Sequence, residues 1–373
     1  MAKSLDLDLG VLALAHLKNA AGDGRPALLG ASVQDLESLA EALGEPRYRG
    51  RQLFTAIFNR RIADFAEMTD IPAGLRQTLA TACELDRPHA TTIVASVDGT
   101  RKYRFETPDG VAFESVYIPE VAKERHTHTL CVSSQSGCSL GCRFCFTASI
   151  KRYRNLTAAE IVGQVLAVQA DVSRPEIDGK ITNIVFMGMG EPLLNYDNVV
   201  RAAQLLTDPA GLDFSTRRVT ISTAGIVPRI YDLGRDLTTQ VAISLNASCD
   251  ETRNRIMPIN RKWPLSALIK ALREYPLPRR RRFTIEYVML GNVNDSLRDA
   301  EQLVRLLDGI PVKINLLPLN PHSRTEYVPP APERVTAFQQ ALRGANVNAI
   351  LRTPRGQDIA AACGQLGPAA SQL

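Results

Sequence analysis

Three cysteines, Cys138, Cys142 and Cys145, stand together in the stretch QSGCSLGCRFCFTAS. Thiolates are soft ligands, suited to zinc or to an iron–sulfur cluster. The spacing lets one short loop present three sulfurs to one centre, and Gly137 and Gly141 let the backbone wrap closely round it. Three sulfurs are one short of a closed tetrahedral zinc site. They suit a four-iron cube with one iron left open to a small ligand. A fourth thiol, Cys131, lies upstream and keeps a four-cysteine zinc site open as an alternative, although it falls in a strand-like run, TLCVSS. Buried structural thiols without any metal are a third possibility.

Other chemistry-bearing residues occur where apolar runs end. In MGMGEP, Gly188 and Gly190 allow close backbone approach, and Glu191 could accept from an ammonium. Ser222 in ISTAG and Ser244 in ISLNA could hydrogen-bond a ribose or a carboxylate; alternatively they cap strand ends. Asn320 in LPLNP could reach a ribose or a base edge, or simply make an Asn–Pro turn.

The elements that must position these residues follow a simple pattern. From residue 129 strand-like and helix-like runs alternate. The strands are TLCVSS, NIVFMG, RVTIST, VAISL, TIEYVM and KINLLP; the helices include TAAEIVGQVLAVQ, NVVRAAQLL, PLSALIKALREY and SLRDAEQLVRLL. Six such units predict an α/β fold with a parallel sheet, either open or curled toward a partial (β/α)6 barrel, short of the eight units of a closed one. Function in such sheets gathers at the carboxyl ends of the strands, where the cysteines, GMGEP, STAG, SLNA and LPLNP all fall. Residues 30–85 read as helical, with Ser32 as a cap and Gly44 as a stop. The arginines there read as a solvated face or, less simply, as a surface for RNA. Residues 90–118 alternate apolar and polar around Asp98-Gly99 and Asp109-Gly110, a hairpin pattern. PERVTAFQQALRGA reads as a last helix, NAILR as a last strand and RTPRGQDIAAACGQL as a tail. The expected domains are a helical unit at 1–89, a β-hairpin connector at 90–128, the partial barrel at 129–345, and a closing strand and tail at 346–373.

The bulk numbers narrow the class. The chain has 373 residues, enough for one large catalytic domain and a smaller one, and 45% are apolar. Lys plus Arg is 44 against 39 acids, a mild excess of +5 that does not by itself indicate nucleic acid. No apolar run is long enough to span a membrane, and the N-terminus reads as a helix or loose tail rather than a signal peptide. Seven cysteines, four of them within fifteen residues, speak against a secreted disulfide framework and for reduced cytoplasmic thiols.

A C-x3-C-x2-C loop ahead of a strand–helix series resembles the radical-SAM superfamily. The resemblance implies one 4Fe–4S cluster whose open iron chelates the methionine part of S-adenosylmethionine, and an electron that opens the sulfonium to a 5′-deoxyadenosyl radical. The match goes further. LCVSSQSGCSLGCRFC, MGMGEPLLNYDNV, STAGIVP, EYVMLGNVNDS, NLLPLNP and RGQDIAAACGQL occur in this order, and over residues 30–366 they resemble the RlmN/Cfr family of radical-SAM RNA adenine methyltransferases. On that resemblance Cys138, Cys142 and Cys145 match the cluster ligands. Gly190, Glu191, Ser222, Ser244, Leu245, Asn246 and Asn320 match positions that contact S-adenosylmethionine. Cys363 matches the cysteine that is itself methylated, Cys131 the second catalytic cysteine, and Glu114 in FESVYIP a proton acceptor.

The implied chemistry suits an electron-poor ring carbon, which ordinary methyl transfer cannot reach. One S-adenosylmethionine methylates Cys363, and a second yields the radical that takes hydrogen from that methyl group. The methylene radical adds to adenine, the ring proton leaves, and Cys131 attacks Cys363 sulfur to form a disulfide and release the product. Carbon 2 of an adenosine in 23S rRNA is the expected target, with tRNA as a second substrate. Carbon 8 is the nearest alternative, and a non-catalytic RNA-binding metal-cluster paralogue is the alternative of another class. A one-electron donor such as flavodoxin, a cytoplasmic location and a monomer complete the expectation. RNA contacts are sought in KRYR at 151–154 and in Arg279–Arg282. Two departures from the family pattern stand out: FTASIKRYRNL replaces a Gly-rich run, placing Phe146 and Lys151 at an expected RNA entrance, and SLNA replaces SLHA.

Overall fold

The structure is a computed structural model that describes residues 24–85, 87–107, 109–122 and 125–367, with Leu14 and Leu17 ahead of them. The N-terminal tail expectation otherwise lies outside the described residues. Helix α1 (Val33–Ala42) starts as expected: Ser32 accepts from the Asp35 amide, while the Asp35 carboxylate takes the Ser32 amide. Its apolar face packs on α2 (Tyr48–Phe54), which runs into a π-turn over Thr55–Asn59, and α3 (Ala73–Ala82) follows. Gly50 allows the approach of α1 and α2, since a Cβ there would lie 2.3 Å from the Glu37 amide nitrogen. Two of the arginines read as a solvated face are indeed exposed and also hold the buried Glu37: Arg47 at 2.7 Å and Arg51 at 2.6 Å.

Among the described residues ten strands form one sheet in strict chain order. Strands β1 (Ala90–Ala95), β2 (Arg101–Glu106), β3 (Ala112–Ala122) and β4 (Arg125–Cys131) run antiparallel. From β4 the sheet is parallel through β5 (Asn183–Phe186), β6 (Val219–Thr223), β7 (Gln240–Ser244), β8 (Phe283–Met289), β9 (Val312–Pro318) and β10 (Ala349–Leu351). The hairpin strands therefore begin the same sheet that becomes the barrel. The barrel is open: among the described residues no pairing joins its two outer strands.

Helices cover the outer face: α4 (Ala158–Val172), α5 (Tyr196–Thr207), α6 (Val227–Asp236), α7 (Asp250–Ile256), α8 (Leu265–Glu274), α9 (Leu297–Leu306) and α10 (Pro332–Gly344). Helices α6 and α7 are additions to the sequence reading. The α6 run contains Gly234, which looks like a breaker but lets Pro276 approach; a Cβ would lie 2.7 Å from it. The α7 run, DETRNRI, has no apolar period because its core residue is Arg253. That side chain is fully buried and donates to the carbonyls of Ala224 (2.6 Å), Ser244 (3.3 Å) and Leu245 (2.9 Å) and to Asn260 Oδ1 (2.8 Å). One guanidinium thus fixes the chain just beyond β6 and β7, where the site lies.

Candidate functional site

The loop after β4 carries the three cysteines to the carboxyl end of the barrel. Gln135 staples it to the segment after β5: its Oε1 accepts the Glu191 amide at 2.8 Å, and the Ser134 and Gln135 amides donate to Met189 O. The glycines of MGMGEP are required by this contact. Gly190 has φ of 100°, and a Cβ there would lie 2.5 Å from Gln135 Cβ; a Cβ on Gly188 would lie 2.7 Å from Val132 O.

Cys138, Cys142 and Cys145 line one cavity of about 940 Å³, together with Gly188, Gly190, Glu191, Ser222, Ser244, Asn246, Glu286 and Cys363. Among the described residues no three His, Cys, Asp or Glu side chains converge on a single metal ion. The three sulfurs surround a space, which fits a cube, and Cys131 lines a different cavity, which removes the four-cysteine zinc alternative. Burial pushes the Cys138 thiol up to about 12, and raises Cys142 and Cys145 as well. Thiols so placed become thiolates only against a cationic centre.

The other expected cofactor positions divide. Glu191 is buried on this cavity, its oxygens taking the amides of Leu193 (3.1 Å) and Ala224 (2.8 Å), and burial raises its pKa. Ser222 and Ser244 line the same wall. Asn246 sits at φ 59°, with Oδ1 accepting the Val288 amide at 2.8 Å and Nδ2 facing Met257 Sδ at 3.2 Å. The Leu245 side chain is fully buried and off the wall; its backbone amide donates to Glu286 O. Asn320 is also absent from this cavity. Its Nδ2 donates to Cys363 O at 3.1 Å and its Oδ1 accepts from Gln357 at 2.9 Å, so it clamps the tail.

Cys131 and Cys363, far apart in the chain, line the same two further cavities. One, about 1840 Å³, is the barrel interior; the other, about 660 Å³, lies under the tail. All described cysteines are free thiols. Burial raises the Cys131 thiol strongly, whereas Cys363 is exposed. The tail turns at Gly356 and Ala360, both with left-handed backbone, and is tied down throughout. Lys102 donates to Ala360 O at 3.3 Å, Phe146 N to Gly364 O at 2.8 Å, and Thr147 Oγ1 to Leu366 O at 2.7 Å. The Gly367 amide donates to Glu114 at 2.9 Å.

Glu114 lines none of these three cavities. It is fully buried on β3 beneath the tail, 3.7 Å from the equally buried Lys102. Burial pushes its pKa up, against the pull of Lys102. Phe146, placed at an RNA entrance by the sequence, is 3% exposed and seats the tail instead. In KRYR, Arg154 is held by Asp109 and Glu160, both at 2.7 Å, while Lys151 and Arg152 are exposed.

The barrel interior opens at the amino ends of the strands through a basic mouth: Arg217, Arg218, Arg280, Arg281, Arg282 and Lys313, with Arg352 further in. Of these, the sequence reading had only the Arg279–Arg282 run. The missed signal was alternation. KINLLP and TIEYVM place Lys313, Asn315 and Glu286 at every second position of otherwise apolar strands, which marks a polar lumen.

An open α/β barrel with a three-cysteine loop and a glycine-lined cavity at its carboxyl end defines a radical S-adenosylmethionine enzyme, with a 4Fe–4S cluster and S-adenosylmethionine as its cofactors. Residues 132–307 match the Radical SAM superfamily model, and residues 27–85 match the Ribosomal RNA large subunit methyltransferase N-terminal domain. A radical SAM methyltransferase from Sphaerobacter thermophilus superposes with a TM-score of 0.84 at 41% identity, covering 91% of this chain and 98% of that one. The Dual-specificity RNA methyltransferase RlmN of Geobacter sulfurreducens is 50% identical over 337 residues, covering 90% of this chain and 91% of that one. Its namesake in an Anaeromyxobacter species is 48% identical over 345 residues, covering 92% and 90%. The chain belongs to the RlmN family.

Proposed function

We propose that this protein methylates carbon 2 of an adenosine in 23S rRNA, and in tRNA, by way of a methyl group carried on Cys363. The observation that carries this is the meeting of Cys131 and Cys363 in one cavity that opens, at Cys363, onto the cavity of the cysteine loop. Family membership favours carbon 2 over carbon 8.

Cys138, Cys142 and Cys145 would hold the cluster, and the wall from Gly190 to Asn246 would hold S-adenosylmethionine. When bound, these cofactors supply both a methyl group and a 5′-deoxyadenosyl radical. The chain's own residues do the rest. Cys363, on a tail fixed at Ala360, Gly364 and Leu366, carries the methyl carbon between the cofactor wall and the barrel interior. Cys131, at the end of β4, attacks Cys363 sulfur to free the methylated base; the S–S bond forms as the S–C bond breaks, and a reductant restores both thiols. Glu114 is the proposed proton acceptor: burial raises its pKa and so makes its carboxylate the stronger base, which acts when the tail shifts to admit RNA. The basic mouth takes the phosphates of an extruded, single-stranded target. No described helix is long and apolar enough to cross a membrane. We infer a cytoplasmic monomer served by a donor such as flavodoxin.

Anaerobically reconstituted protein, labelled S-adenosylmethionine and rRNA fragments test this. 2-Methyladenosine in the digested product is expected. The 8-methyl isomer, or no methyladenosine from protein with an intact cluster, refutes it. In Cys131→Ala, RNA should remain covalently attached to Cys363.

A further inference from the structure

The cavity of the cysteine loop and the barrel interior share Met187, Glu286, Leu317 and Cys363. If Cys363 delivers carbon to the base, the base must sit at this junction. Met187 and Leu317 give it apolar surface, as extruded bases require.

Glu286 is the one polar side chain among the four. It lies on β8, between Ser244 of β7 and Asn315 of β9, and is nine-tenths buried. Asn315 Nδ2 donates to its Oε1 at 2.9 Å and fixes the carboxyl. Among the described residues Oε2 receives no hydrogen bond. Lys313, Arg352 and the Cys363 thiol act on it only through space. Among the described residues that line the barrel interior it is the sole acid, and the other charged ones are arginines and a lysine. Oε2 is not enclosed by protein; Glu286 lines both cavities, so a bound base can bring a donor to it. Adenine offers such a donor in its exocyclic N6 amine. Guanine presents a carbonyl oxygen at the equivalent position, which a carboxylate repels.

We propose that Glu286 selects adenine, its open oxygen accepting a hydrogen bond from the N6 amine while Asn315 holds the carboxyl in place. This rests on the methyltransferase function proposed above. A mere counter-ion for Lys313 and Arg352 would have no preference between bases.

The test uses the full-length reconstituted protein and a synthetic 23S rRNA fragment. The target position carries either adenosine or purine riboside, which lacks only the N6 amine. Wild-type kcat/KM is expected to favour adenosine by about 10- to 100-fold, the range of a hydrogen bond to a charged group. In Glu286→Ala the preference should fall to within about threefold. A counter-ion role would slow both substrates equally and keep their ratio. Equal use of both RNAs by wild type overturns the proposal, as does a preference that survives in Glu286→Ala. Fluorescence anisotropy of both RNAs, without reductant, reads the same preference in binding. If wild type binds adenosine RNA preferentially but never methylates it, the proposed function fails and the role of Glu286 stands.

Discussion

Asn320→Ala separates two roles for one side chain. Its motif suggested a contact to S-adenosylmethionine, whereas its bonds clamp the tail: one to Cys363 O at 3.1 Å and one from Gln357 at 2.9 Å. Each is worth about 0.5–1.5 kcal/mol net, so their loss costs the docked tail about 1–3 kcal/mol. At about 1.4 kcal/mol per tenfold, local opening should rise by roughly 5- to 150-fold. The remaining anchors at Lys102, Phe146, Thr147 and Glu114 keep the fold intact. Amide hydrogen exchange reads this directly, because the Ala361, Gln365 and Gly367 amides are all bonded in the docked tail. These amides should exchange faster while the barrel strands do not, and affinity for S-adenosylmethionine should change less than about twofold. Unchanged tail exchange with a tenfold or greater loss of cofactor affinity would refute the clamp.

Lys102→Ala should destabilise the fold by about 3–5 kcal/mol at neutral pH, since it strands the buried Glu114 carboxylate. Burial favours the acid form of Glu114, so stability is retained at low pH and lost as pH rises through its folded pKa. The variant's melting temperature should therefore drop more at pH 8 than at pH 5, and an equal drop would exclude Glu114 as the cause. Gly190→Ala forces a Cβ to 2.5 Å from Gln135 at φ 100° and should cost about 1–3 kcal/mol in strain, with weakened S-adenosylmethionine binding by equilibrium dialysis. Alanine at Arg217, Arg218, Arg280 and Arg282 together should lower the slope of RNA affinity against log salt by about 0.7 per lost phosphate contact, and an unchanged slope would place RNA elsewhere.

Elements with strong periodicity were legible in the sequence. All six barrel strands, the closing strand and the capped helix α1 lie where apolar pattern and Ser32 put them. Helix α7 was not, because its core residue is a guanidinium rather than a hydrocarbon, and no moment reveals that. The cysteine loop was legible because its ligands are local. The seat of the tail was not: Lys102, Phe146 with Thr147, and Asn320 come from three separate segments, and only folding shows that they hold one loop. Glu286 escaped notice because a single acid in a buried strand looks like an exception to an apolar pattern. Its meaning depends on what stands across the lumen.

The open barrel explains why the two working cysteines are so distant in sequence. Strict sequential strand order sets β4 and β10 at the two ends of the parallel arc, with a gap between them where a closed barrel would have further strands. The tail occupies that gap. One side of its seat is built from Lys102 on β2 and Glu114 on β3, the other from Asn320 just beyond β9. The cavity under the tail accordingly touches Val116, Ile118 and Cys131 on one side, and Leu317, Pro318 and Asn320 on the other. A Cys363 placed on any barrel strand would face the lumen in one fixed position. On a bonded but separable tail across the gap, it can meet both the cofactor wall and Cys131, and the gap itself remains the one edge of the barrel that can open without breaking a strand pair.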